Sequence, residues 1–261
     1  MSEELTHHLD SRGVLTVTMN RPNTHNAFDE QQIARLTHAL EEASSNHEVK
    51  LIVLGSTGKH FSAGADINYM QRMGGNSTVE NLADASALAG LMKTLYNIPK
   101  PTVAKVQGAA YGGAVGLVCC CDIAIGTTST VLSLSEVKIG LVPATIGPYV
   151  IRAIGPRIAR RLFISGERIN SVDAQNIGML HTVVEDKLLD DAVHDIVVQL
   201  LENSPNAMAV AKQMVFSLSP DSISDDMIEL SVKTIANIRE SLEAKEGLAA
   251  FLEKRKPAWQ Q

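Results

Sequence analysis

Apolar and polar residues alternate over residues 13–20, with Leu15, Val17 and Met19 on one face, and this period predicts a strand. Asp29 follows in the position of an N-cap. Gln32 falls at the third helical position, and Ile33, Leu36 and Leu40 recur at helical spacing. The apolar run 49–54 predicts a second strand, turned at residues 55–58. Residues 81–96 read as a helix stopped by Pro99 and Pro101. Residues 102–106 form a third buried strand, Gly112 and Gly113 open another helix, and 122–125 returns as a strand. Strands alternating with helices imply parallel βαβ units and an α/β class.

From Pro156 onward helical patterns dominate. Ser204 and Pro205 suit the N-cap and first position of a helix. Residues 221–255 read as two helices broken near Ser241. The expected layout is an α/β core over 1–200 and a helical region over 201–261. The latter is too thin to enclose a core and is expected to pack on the first unit or on a neighbouring subunit.

With 261 residues, a chain can bury roughly 70–75% of its unfolded surface, so neither a metal nor disulfides are needed for folding. The net charge of −6 argues against nucleic-acid and membrane-surface partners, which favour a basic face. The first ten residues are polar and acidic, unlike a signal or transit peptide. The uncharged stretch 106–121 is Gly-rich and ends at Asp122, short of the ~20 residues of a membrane span. Cys119, Cys120 and Cys121 are consecutive, so they cannot converge on one metal, and they read as small buried apolar side chains. That usage fits a reducing, cytoplasmic compartment.

Three stretches carry candidate chemistry. The segment 55–60, Gly-Ser-Thr-Gly-Lys-His, lacks the spacing and hydroxyl of a phosphate loop and reads as a plain turn. Residues 112–116, Gly-Gly-Ala-Val-Gly, follow a strand and open a helix whose first N–H groups lack partners. They fit a dinucleotide loop with irregular glycine spacing, an oxyanion site, or a tightly packed helix start. The small residues of His60-Phe-Ser-Ala-Gly-Ala-Asp-Ile67 expose further backbone N–H groups. The two loops lie at the carboxyl ends of neighbouring parallel strands, where ligands bind in such sheets. N–H groups converging from both could hold one developing negative oxygen. Glu136 is the only carboxylate between Asp122 and Glu167, in a largely apolar stretch. It is either a buried proton carrier with a raised pKa or a solvated residue at a loop edge.

Taken together, Phe61-Ser-Ala-Gly-Ala-Asp66, Gln107-Gly-Ala-Ala-Tyr-Gly-Gly-Ala114, Cys121-Asp-Ile123 and Ser135-Glu-Val-x-Ile-Gly-Leu-x-Pro143 resemble the crotonase (enoyl-CoA hydratase/isomerase) superfamily in order and spacing. The resemblance runs from Arg21-Pro22 to residues 251–256. It implies a spiral of ββα repeats with a helical C-terminal trimerisation region, assembled as a homotrimer or homohexamer. The implied activity acts on acyl-CoA thioesters, with coenzyme A as part of the substrate and no separate cofactor or metal. By the same resemblance, Ala65 and Gly113 supply oxyanion-hole N–H groups and Glu136 exchanges the proton. Ala63, Ala65 and Ile67 lie against CoA, with the Ala63 backbone at the adenine. Phe251 and Lys254 reach CoA on a neighbouring subunit.

Two positions depart from the pattern. Gly116 stands where two-glutamate hydratases carry their second acid, and Asn23 stands where many members have a lysine near the CoA phosphates. Residues 113–126, 134–146 and 251–259 resemble a bacterial branch assigned to methylglutaconyl-CoA hydration in leucine breakdown, or to gamma-carboxygeranoyl-CoA hydration. The expectation is hydration of a branched, carboxyl-bearing enoyl-CoA, with the space at Gly116 left open and Arg72 as a candidate for the distal carboxylate. The alternatives are a double-bond isomerase on the same fold, a nucleotide-dependent oxidoreductase using residues 112–116, and RNA binding, which the acidic charge disfavours.

Overall fold

A computed structural model describes residues 4–203, 205–218 and 223–257. Ser204, Asp221, Ser222 and Trp259, which entered the reading of the tail, lie outside them.

Six strands form the larger sheet in the spatial order β1 (Leu5–Leu9), β2 (Val14–Met19), β3 (Leu51–Ser56), β4 (Thr102–Val106), β6 (Ile123–Thr127), β9 (Thr182–Val184). Only the β1–β2 hairpin is antiparallel. A smaller sheet orders β5 (Ala109–Tyr111), β7 (Val131–Ser133) and β8 (Arg168–Asn170). Before α4 (Gly113–Cys120) and α5 (Gly147–Ser165) the chain steps from the large sheet to the small one. β4 leads to β5 and α4, and β6 leads to β7 and then α5. Earlier turns repeat the path with the second layer thinned to single parallel bridges. Phe28 pairs with Ala65 ahead of α1 (Glu30–Ser45), and Ser62 pairs with Ala110 ahead of α2 (Ile67–Met73). The topology is thus the expected α/β spiral of ββα repeats.

The central strands are continuous apolar runs because both faces are covered. Leu51, Ile52, Leu54, Val103 and Ala104 are all fully buried. Asp29 caps α1 by accepting from the Gln32 N–H at 2.7 Å. The Gln32 side chain turns into the protein and makes no reciprocal bond among the described residues. Helix α3 (Thr78–Asn97) starts three residues earlier than the apolar spacing indicates, because Ser77 and Glu80 form a capping box. Residues 55–56 extend β3 rather than turning. The region after Pro156 is not purely helical, since β8 and β9 fall within it. Pro156 sits inside α5, just after a kink at Gly155 with φ +77°.

Past α6 (Ser171–Asn176), α7 (Leu189–Leu201) covers the outer face of the large sheet through Leu189, Val193 and Val197. In α8 (Pro205–Leu218), Phe216 stacks on Tyr96, ring centroids 4.8 Å apart. The remaining tail forms α9 (Asp225–Glu240) and α10 (Leu242–Leu252), separated at Ser241, which caps α10. Val232 and Ile235 of α9 pack on Ala85 and Ala89 of α3. Helix α10 lies against α2 and the 3-10 segment Ser135–Ile139. Cys120 and Cys121 are buried and Cys119 half-buried, and burial raises all three thiols, so they pack as apolar groups and not as nucleophiles. Among the described residues no helix is long and apolar enough to cross a membrane.

Candidate active site

Two loops meet where β3 and β4 end. Asn26, in the left-handed region at φ +54°, ties the first loop to its surroundings. Its amide donates to the carbonyls of Thr57 and His60 at 2.8 and 2.9 Å, and its carbonyl accepts from the Arg21 N–H at 2.8 Å. His60 Nδ1 accepts from the Ala109 N–H at 3.0 Å, joining this loop to β5. Gly64 (φ +89°) lies so close to the second loop that a Cβ there would stand 2.9 Å from the Tyr111 carbonyl.

This stitching aims one donor. Phe28 donates its N–H to the Gly64 carbonyl, and Asp66 donates its N–H to the Phe28 carbonyl, both at 2.7 Å. In such a parallel bridge the residue between those two partners, Ala65, turns its own N–H to the opposite side. That side is where β5 runs into Gly112 and Gly113. The Ala65 N–H has no acceptor among the described residues. Gly113 is the first residue of α4, so its N–H has no intrahelical acceptor either, and it carries the positive end of the helix. Asp66 caps α2 through the N–H groups of Asn68 and Tyr69, and Arg21 bridges Asp29 (2.6 Å) and Asp66 (3.7 Å) behind it.

Glu136 projects from the segment Ser135–Ile139 under α10. Its Oε1 faces Gly112, where a Cβ would approach to 3.3 Å. Its Oε2 is sealed from solvent with no hydrogen-bond partner among the described residues. Burial pushes the carboxyl up to about 7 from 4.5, against a smaller opposing pull from a hydrogen bond with its own backbone. Glu136 as a whole is half-buried, with its Oε2 enclosed rather than solvated at a loop edge.

Ala63, Ala65, Ile67, Gly113, Glu136 and Phe251 all line one cavity of about 800 Å³. That is ample for a large cofactor-bearing ligand. The Ala63 N–H is spent on the His25 carbonyl at 3.0 Å, leaving its carbonyl for a ligand. Lys254 does not line the cavity. Arg72 lies outside it too, exposed and held bidentate by Glu30 at 2.8 Å, so it is not placed to meet an acyl group. Lys138, Arg168, Arg239 and Arg255 outnumber the acids Asp66 and Glu136 along the wall. Two of these cations are paired, Arg239 with Asp84 and Arg255 with Glu246 and Glu253.

The space at Gly116 is not open. A Cβ there would stand 2.3 Å from Ile146 Cγ2 and 3.0 Å from Met92 Sδ. Ile146, thirty residues away in sequence, fills that volume and lines the cavity itself. Gly116 thus faces packed side chains rather than open space. Gly116→Ala is expected to cost roughly 1–3 kcal/mol by overpacking. Combined with Ile146→Ala, whose buried side chain makes the clash, the two losses should be less than additive, read by denaturant unfolding of the parent, both single variants and the double variant.

Burying Glu136 has a cost that depends on pH. Its folded pKa lies above the unfolded one, so the folded state holds the proton more tightly. Stability falls as pH rises from 4.5 through about 7. Glu136→Gln removes that loss. Relative to the parent, the variant should gain up to about 3 kcal/mol on going from pH 4 to pH 8. A stability difference independent of pH would contradict the burial.

Two N–H groups without acceptors among the described residues and one half-buried carboxyl, from residues lining a single cavity, make a site able to hold an oxygen anion beside a proton carrier. The chain belongs to the enoyl-CoA hydratase/isomerase family, whose model matches residues 10–261. It is 30% identical to an enoyl-CoA hydratase of Alternaria alternata over 97% of this chain and 83% of the relative. It is 28% identical to a trans-2-decenoyl-[acyl-carrier-protein] isomerase of Streptococcus mutans over 98% and 97%. The solved structure of an enoyl-CoA hydratase from Shewanella pealeana superposes with a TM-score of 0.81 at 43% identity, covering 98% of this chain and 96% of that one.

Proposed function

We propose that this chain hydrates an α,β-unsaturated acyl-CoA, with a branched, carboxyl-bearing acyl group such as 3-methylglutaconyl as the preferred substrate. The observation that supports the reading is the half-buried Glu136 carboxyl, its pKa raised by burial, lining the same cavity as Ala65 and Gly113, whose N–H groups have no acceptor among the described residues. In this scheme the thioester oxygen sits between the two N–H groups. Water attacks the β-carbon, the electron pair of the double bond moves to the thioester oxygen, and Glu136 takes the proton lost by water. The enolate then collapses, and Glu136 returns that proton to the α-carbon. One water is added and one carrier suffices, so the scheme calls for no metal or redox group. A second acid opposite Glu136 would repel a carboxylated acyl chain, and Ile146 occupies that place.

CoA lies along Ala63, Ala65 and Ile67 in this reading, with Phe251 at the mouth. The assembly is a homotrimer or homohexamer in which Lys254 can serve a neighbouring subunit. Val210, Met214, Val215, Leu230 and Leu242 are left uncovered on the tail helices, which supports such contacts. Light scattering giving a monomer mass would contradict the assembly.

Isomerisation is the second reading. Among the described residues lining the cavity, Glu136 is the acid not engaged as a helix cap, and a lone carboxyl can carry a proton between two carbons. A panel of enoyl-CoA thioesters with separated products tests the choice. Hydroxyacyl products support hydration, whereas only shifted double bonds support isomerisation.

A further inference from the structure

Resting on the reading of the cavity as an acyl-CoA site, we propose that Arg239 binds a second carboxylate at the far end of the acyl chain. Arg239 lies in the last turn of α9, and its side chain keeps only 10% of its surface exposed. One nitrogen pairs with Asp84, which also accepts from the Tyr69 hydroxyl. Its Nε is sealed from the cavity as well as from solvent, but Nη2 is not sealed and makes no hydrogen bond among the described residues. A largely buried guanidinium that keeps one accessible, unused donor on a cavity wall is placed to receive a carboxylate.

Its position follows from α3. A Cβ at Gly113 would touch Leu88 at 4.0 Å, which places Leu88 beside the predicted oxyanion site. Asp84 lies four residues earlier on the same helix face, about 6 Å farther along the axis. Arg239 is fixed to Asp84, so it stands one helical turn beyond the thioester end. The wall between is apolar, with Leu88, Leu141, Val142 and Ile235 lining the cavity. A short dicarboxylic acyl chain would lay its carbon backbone on those residues and its distal carboxylate on the guanidinium. Lys138 is exposed, and Arg168 is exposed against the Tyr111 ring, 5.6 Å from its centroid, so solvent screens both. Arg255 is taken by Glu246 and Glu253. Of these four cations Arg239 has the most buried side chain on the wall, with Asp84 offsetting part of its charge.

The test uses saturated thioesters, so that it does not depend on turnover. Glutaryl-CoA and butyryl-CoA are titrated calorimetrically into the parent and into Arg239→Met. The parent should bind glutaryl-CoA more tightly, and Arg239→Met should erase that preference by about 10–100-fold while leaving butyryl-CoA within a few-fold. Asp84→Asn removes the competing anion and should widen the parent's preference. It also keeps the idea testable should Arg239→Met fail to fold. No preference in the parent, or equal weakening of both thioesters by Arg239→Met, overturns the assignment and leaves a structural ion pair between α9 and α3. Preference without any hydration would instead overturn the proposed reaction and leave this site standing.

Discussion

Glu136→Gln is expected to lower turnover of an enoyl-CoA by about 10²–10⁴-fold, the usual loss when a positioned general acid–base group is removed. The substitution keeps the shape and deletes the titrating proton. Its cause lies in the enclosure of the carboxyl, which holds its pKa up to about 7 and so near the pH at which proton transfer in both directions is easiest. Hydration starts from the carboxylate, so kcat/KM should rise with pH through that value in the parent. The residual activity of the variant should lack that limb. Activity within a few-fold of the parent, with the limb unchanged, would assign the proton to another group.

Gly113→Pro is the second large effect. A proline at the first position of a helix keeps helical geometry, because the N–H it lacks has no intrahelical acceptor. Here that same N–H is one of the two proposed oxyanion donors. The Cβ finds Phe28 at 3.5 Å, an ordinary contact. Folding should therefore survive while turnover falls by roughly 10²–10³-fold. A folded Gly113→Pro protein with parental kcat would remove Gly113 from the mechanism.

The central strands were legible because each is a short apolar run buried on both faces, and the helices because Asp29, Gly112 and Ser241 mark their starts. The smaller sheet was not. Ala109–Tyr111, Val131–Ser133 and Arg168–Asn170 are three residues each, too short to display a period of two. The strand Leu5–Leu9 carries two histidines and a threonine on a partly exposed edge and reads as polar chain. Ala65, Gly113 and Glu136 could be singled out as residues. Their convergence depends on pairing across the sequence, Phe28 with Ala65 and Ser62 with Ala110, which no local pattern encodes. The same distance hid Ile146, which fills the volume over Gly116, and Arg239, whose partner Asp84 is 155 residues away. A signal for Arg239 did exist, in a cation near the end of an amphipathic helix otherwise read only as a tail.

Reaction of 3-methylglutaconyl-CoA in ¹⁸O-labelled water, followed by mass spectrometry of the thioester, tests the central claim most directly. The mechanism through Glu136, Ala65 and Gly113 predicts a 3-hydroxyacyl-CoA carrying one ¹⁸O at the β-carbon, formed by the parent and lost in Glu136→Gln. A thioester of unchanged mass with only its double bond moved would contradict it.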